Sequence, residues 1–205
     1  MLSLFRTNKI IGILLVAAYA VLLRLSFLWA PLPAEALPEP NPLTFEWLWA
    51  AGGDWSYWVA TLLIVVQALF LNELFNFYRL SEHRTYLPAA AYVLFCSLLP
   101  EFLPLSPEIL ANTFLLFGWR ELFRTYKSSK VTAPLYNTGL WLALAVIASW
   151  QYIVFALWLL IAWRSLRSFN LREGLVILAG FFTPCLLIGA WLFWHDRLPL
   201  LWQEH

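Results

Sequence analysis

The sequence predicts an all-α, polytopic integral-membrane protein, a bundle of about seven apolar segments with its N-terminus in the cytoplasm. Three observations carry this expectation. Hydrophobic residues make up 62% of the 205 and charged residues only 12%, where a soluble domain carries about 25% charged residues. Apolar runs recur along the whole length, with no polar stretch long enough to form a separate soluble domain. The cations are also sorted by side. With the N-terminus inside, all of the thirteen Lys and Arg except Arg24 and Arg197 fall on the cytoplasmic side. The net charge of +1 gives no argument for nucleic acid, because the charges are sorted by side and not pooled in one patch.

The seven segments run over residues 10–30, 55–78, 87–100, 107–126, 136–148, 151–163 and 174–194. The first follows a basic start and precedes small residues at Ala34 and Ala36, as a signal peptide would. Its apolar run exceeds the roughly 7–15 residues of such a core and carries Arg24, so it reads as a retained membrane helix. The second opens after Gly52, Gly53 and Asp54, with Asp54 placed to cap it. The fourth opens on "SPE": Ser106 suits the N-cap, Pro107 the first helical position, and Glu108 the first turn, where the helix dipole favours an anion. Segments 87–100, 136–148 and 151–163 reach only about 18–21 Å at 1.5 Å per residue, short of a 30 Å hydrocarbon core.

Residues 31–53 form one long external loop in a single 1–205 membrane domain. Its proline-rich part, 31–43, cannot be helical. Residues 44–51, "TFEWLWAA", read as a short interfacial helix capped by Thr44. The tryptophans fit this layout. Trp29, Trp47, Trp49, Trp55, Trp58, Trp150, Trp191 and Trp194 gather at the outer boundary, and Trp119 and Trp163 at the inner one.

Two polar sets stand out against the apolar background. The outer set is Arg24, Asp54 and Glu108. Arg24 lies about 9 Å below the outer end of its helix, where a guanidinium needs a partner. Asp54 and Glu108, both at the outer face, are the partners expected from charge. Helix capping also accounts for both acids without any chemistry. The second set is Asn72, Glu73 and Asn76, in "QALFLNELFNFYRL". Asn72 and Asn76 share a face at i,i+4, and bonding across helices is their simplest role. Glu73 reads as an inner-interface ion pair with Arg79, Arg120 or Arg124, and alternatively as part of a proton or ion path. Cys96 and Cys185 sit in apolar segments and read as inert. No GxSxG, P-loop, GxGxxG, HExxH or CxxC occurs, and His83, His195 and His205 form no metal-binding spacing. The residues call for no cofactor. The expected partners are membrane lipids, through basic loops such as "RTYKSSK" and "RSLRSFNLR", and other membrane proteins.

Three stretches carry a resemblance: "MLSLFRTNKIIGILLVAAYAVLLR", "LSPEILANTFLLFGWRELFRTYKSSK" and "NLREGLVILAGFFTPCLLIGAWLFWHDRLP". Together they resemble an uncharacterised family of polytopic inner-membrane proteins of Gram-negative bacteria. Its members are usually longer, so this chain reads as a short one, and the family brings no activity with it. More loosely, the order of elements resembles the N-terminal half of the GT-C integral-membrane glycosyltransferases. That resemblance implies Asp54 and Glu108 as general base and as metal or acceptor ligand, acting with a divalent metal on a lipid-phosphate-linked sugar. The first expectation is therefore a non-catalytic envelope or membrane-complex component. A GT-C-like transferase is the alternative, and a transporter or channel subunit the lesser one.

Overall fold

A computed structural model describes residues 9–29, 55–78, 85–99, 102–126, 128, 130–166 and 170–194. They form seven α-helices: α1 (Lys9–Trp29), α2 (Trp55–Phe77), α3 (Leu87–Leu98), α4 (Pro107–Arg124), α5 (Thr132–Ala148), α6 (Val154–Leu166) and α7 (Leu171–Trp194). A single-turn 3-10 helix, Trp150–Ile153, joins α5 to α6. No strand occurs among the described residues. The external loop 31–53 and the helix expected at 44–51 lie outside the described residues.

All seven expected segments are helical, but a seven-span bundle does not follow. Among the described residues, two helical stretches are long and apolar enough to cross a membrane: Trp55–Phe77 and Leu171–Trp191. The reasons are local. Ile11–Leu25, Leu87–Leu98, Thr132–Ala148 and Trp150–Leu166 are apolar but shorter. The fourth helix carries Glu108, Arg120, Glu121 and Arg124 within 18 residues.

Three helix starts differ from the sequence reading by three residues or more, and one of them is α7, which begins at Leu171 and not at 174. α5 begins at Thr132 and not at 136, because Pro134 falls in the first turn, where the missing N–H has no intrahelical partner to lose. The sixth helix begins at Val154 and not at 151. Ser149 adopts an extended conformation (φ −148°, ψ 119°), which ends α5 and leaves one 3-10 turn before α6.

The described residues divide into two compact units, one through Ile109 and the other from Leu110. In the first, α1, α2 and α3 pack around Val16, Ala20, Ala60, Ile64, Ala68, Ala89 and Val93, all fully buried. Small side chains dominate this list, as expected where helix backbones approach closely. Asn76 ties α2 to the start of α3. Its Nδ2 donates to Thr85 O (3.3 Å) and to Asn72 O (2.9 Å), and its Oδ1 accepts from Thr85 N (3.3 Å).

In the second unit, α5 and α7 form the tightest contact. A Cβ built on Gly139 would lie 2.0 Å from Ile177 O, and one on Gly180 would lie 2.0 Å from Tyr136 O. The two backbones meet at these glycines, and only hydrogen fits there. Beside the crossing, Tyr136 Oη donates to Thr183 Oγ1 (2.9 Å), which itself donates to Ala179 O (2.8 Å). Leu135, Leu142, Tyr152, Leu159, Trp163 and Ile177 complete the core. On the outside of α7, Leu171, Leu175, Leu178, Phe182, Leu186, Leu187, Trp191, Phe193 and Trp194 are all exposed.

Candidate functional site

The site forms in the first unit, where residues 102–109 lead into α4. Leu103, Leu105, Ser106 and Ile109 are buried there. A buried irregular segment exposes no backbone group to water, so each amide needs a partner from the surrounding helices. α2 supplies two of them. Ser56 Oγ accepts from Leu105 N (2.9 Å), and Gln67 Nε2 donates to Ile109 O (2.8 Å). Gln67 Oε1 in turn accepts from Tyr92 Oη of α3 (2.7 Å). At the helix start, Ser106 Oγ accepts from Ile109 N (3.4 Å), with Pro107 at the first helical position. This is the cap read from "SPE".

Arg24 closes the other end. It is only 5% exposed. Its Nη1 donates to Thr61 Oγ1 (3.0 Å) and to Leu103 O (3.3 Å), and its Nη2 donates to Phe102 O. Nε is buried and has no acceptor among the described residues. The fork of the guanidinium thus joins α1, α2 and the 102–103 backbone at one point. A guanidinium stays protonated and offers no proton to a reaction, so what this arrangement does chemically is crosslink.

The residues expected to form the outer cluster are placed as follows. Among the described residues, the partners of Arg24 are neutral oxygens, and Glu108 is not one of them. Glu108 is partly buried in the first turn of α4. Asp54 lies outside the described residues. Of the inner set, Asn72 is buried, Asn76 holds Thr85, and Glu73 is exposed on α2. Of the cations expected for Glu73, Arg124 pairs with Glu121 (2.9 Å), and Arg79 lies outside the described residues. Among the described residues no three His, Cys, Asp or Glu side chains come together.

Four site residues are absent from the sequence reading: Ser56, Thr61, Gln67 and Tyr92. A signal did exist for Gln67. It is the one amide inside "ATLLIVVQALF", and an amide in an apolar helix needs a partner on a neighbouring element. Gln67→Leu removes both the donor to Ile109 O and the acceptor for Tyr92. The expected cost is about 1–3 kcal/mol, read as a lower midpoint of thermal unfolding in detergent. An unchanged midpoint would show that the bridge contributes nothing.

Neither a family model, nor a curated protein, nor a solved structure matches the chain.

Proposed function

We propose that the chain is a multi-pass protein of a bacterial inner membrane, N-terminus cytoplasmic, and a non-catalytic component of an envelope or membrane complex. The observation that carries this reading is the use of Arg24. The one cation expected deep in an outer polar site is engaged by the Phe102 and Leu103 carbonyls and by Thr61. A guanidinium this deeply buried, with both Nη groups bonded to these oxygens, keeps its charge but is not presented to a substrate phosphate. The apolar exterior supports the membrane part of the reading. A soluble monomer rarely exposes contiguous apolar patches above a few hundred Å², whereas α7 presents leucine, phenylalanine and tryptophan along its whole length.

The test uses the two acids that the GT-C resemblance would make catalytic. Asp54→Asn and Glu108→Gln keep size and much of the capping ability. A structural role costs at most about 1–2 kcal/mol of cap and dipole energy. Each variant should therefore rescue whatever phenotype deletion of the chain produces. A stable, assembled Glu108→Gln protein that shows the full deletion phenotype would contradict this reading and favour the transferase.

A further inference from the structure

α2 carries one feature that packing within its own unit does not use. Trp55, Trp58, Leu62, Val66, Glu73 and Phe77 are all exposed, and their spacing keeps them on one side of the helix from end to end. Five of the six are apolar or amphipathic, as lipid allows. Glu73 is not.

Its position makes the carboxylate costly. α2 has 23 residues, about 34 Å at 1.5 Å per residue. Centred on a 30 Å hydrocarbon core, it holds Glu73 about 4 Å inside the boundary. Side chains on a helix tilt toward its N-terminus. Because Glu73 lies near the C-terminal end, that tilt aims it deeper into the core and away from the nearer headgroups. The C-terminal end of the helix dipole repels an anion as well. Two other acids in helices show how such a group is normally placed. Glu173 stands in the first turn of α7, where the dipole favours it. Glu121, near the C-terminal end of α4, is answered by Arg124 at 2.9 Å. Glu73 has neither arrangement, and no cation reaches it among the described residues.

We infer that the Trp55–Phe77 stripe of α2 docks a transmembrane helix of a partner membrane protein, which brings an Arg or Lys to Glu73. This rests on the membrane-complex reading above and names the surface and the partner chemistry it requires. The charge selects the occupant. A second copy seated by two-fold symmetry on the same stripe would set Glu73 against Glu73, which like charges oppose. A lipid tail offers no cation at this depth, whereas a basic residue about one turn inside the cytoplasmic end of a partner helix does. In a water-excluded contact such a pair sets both register and partner choice.

The experiment uses the full chain in membranes of its own host. A photo-crosslinking amino acid replaces Val66 on the stripe and, as a control, Leu186 on α7. Resistance of the chain to alkaline extraction first establishes that it is embedded, so failure of the membrane reading is seen separately. The expected result is one discrete protein adduct from position 66 and none of that size from position 186. Glu73→Lys should lower its yield by about tenfold, the scale of one desolvated charge pair, and Glu73→Asp should keep most of it. Changing the partner's basic residue to Glu should restore the adduct to Glu73→Lys. Because Glu73 is exposed, the variants should match wild type in thermal stability, which shows that lost adduct is lost docking. Three results would overturn the proposal: an adduct twice the mass of this chain, lipid adducts alone, or a protein adduct indifferent to Glu73→Lys.

Discussion

Gly180→Ala should separate α5 from α7 and unfold much of the second unit. The new methyl would lie 2.0 Å from Tyr136 O, 2.9 Å from its carbonyl carbon and 3.1 Å from Leu140 N. All three are backbone atoms, so no side chain can rotate out of the way. Relief requires the helices to move apart along their whole contact, and the Tyr136–Thr183 bond goes with it. The cost should reach about 3 kcal/mol or more, well above the roughly 1 kcal/mol that alanine gains over glycine in a helix interior. Gly139→Ala meets Ile177 O at 2.0 Å and Phe181 N at 2.9 Å, and should behave alike. The matched control lies on the same helix. A Cβ at Gly189 meets nothing within 4 Å, so Gly189→Ala should be neutral or stabilising by up to about 1 kcal/mol. Thermal unfolding of the purified variants checks the order. Equal midpoints for Gly180→Ala and Gly189→Ala would mean that the close crossing is not there.

Arg24→Leu should be the most damaging substitution in the first unit. It leaves the Phe102 and Leu103 carbonyls facing a buried apolar side chain, and Thr61 loses a donor. Hydrogen bonds to charged groups contribute about 1.5–3 kcal/mol each. They are not additive within one guanidinium, so a total of about 3–5 kcal/mol is expected. Arg24→Lys keeps the charge but has a single nitrogen on a flexible stem, which cannot span Thr61 and Phe102 together. It should recover about half of that loss. The expected order of unfolding midpoints is wild type, then Glu108→Gln, then Arg24→Lys, then Arg24→Leu. A protease that cleaves near residues 102–106 in Arg24→Leu, and not in wild type, would place the damage at the segment the guanidinium holds. An Arg24→Leu protein as stable as Glu108→Gln would remove the basis for a structural role.

Local features were legible in the sequence. "SPE" announces a capped helix start, and the structure has Ser106 capping Pro107–Arg124. Asn72 and Asn76, four apart, read as bonding across helices; Asn76 reaches Thr85 ahead of α3, whereas its bond to Asn72 is to the backbone carbonyl of its own helix. What stayed hidden involves partners with no sequence signature. Arg24 suggests a carboxylate because side-chain charge is visible in a sequence. The acceptors it meets among the described residues are two backbone carbonyls and a threonine hydroxyl, and any residue could have supplied the carbonyls. Gly139 and Gly180 likewise look like ordinary helix glycines in "NTGLW" and "LAGFF". Their pairing exists only once α5 and α7 meet. Glu73 is intermediate between these cases. Periodicity sets it about 100° round the helix from Asn72, but only the packing shows that the Asn72 side faces inward.

The central claim is that the chain threads a membrane with its basic segments on one side. Thiol labelling tests it most directly. In a background of Cys96→Ala and Cys185→Ala, which removes the two native thiols, single cysteines replace Glu39, Ser128 and Gln203. An impermeant thiol reagent is then applied from the periplasmic side of intact cells. Cysteines at 39 and 203 should react at once, and the one at 128 only after the membrane is opened. Labelling at 128 alone would reverse the topology, and equal labelling of all three in intact cells would show that the chain does not separate two sides of a membrane.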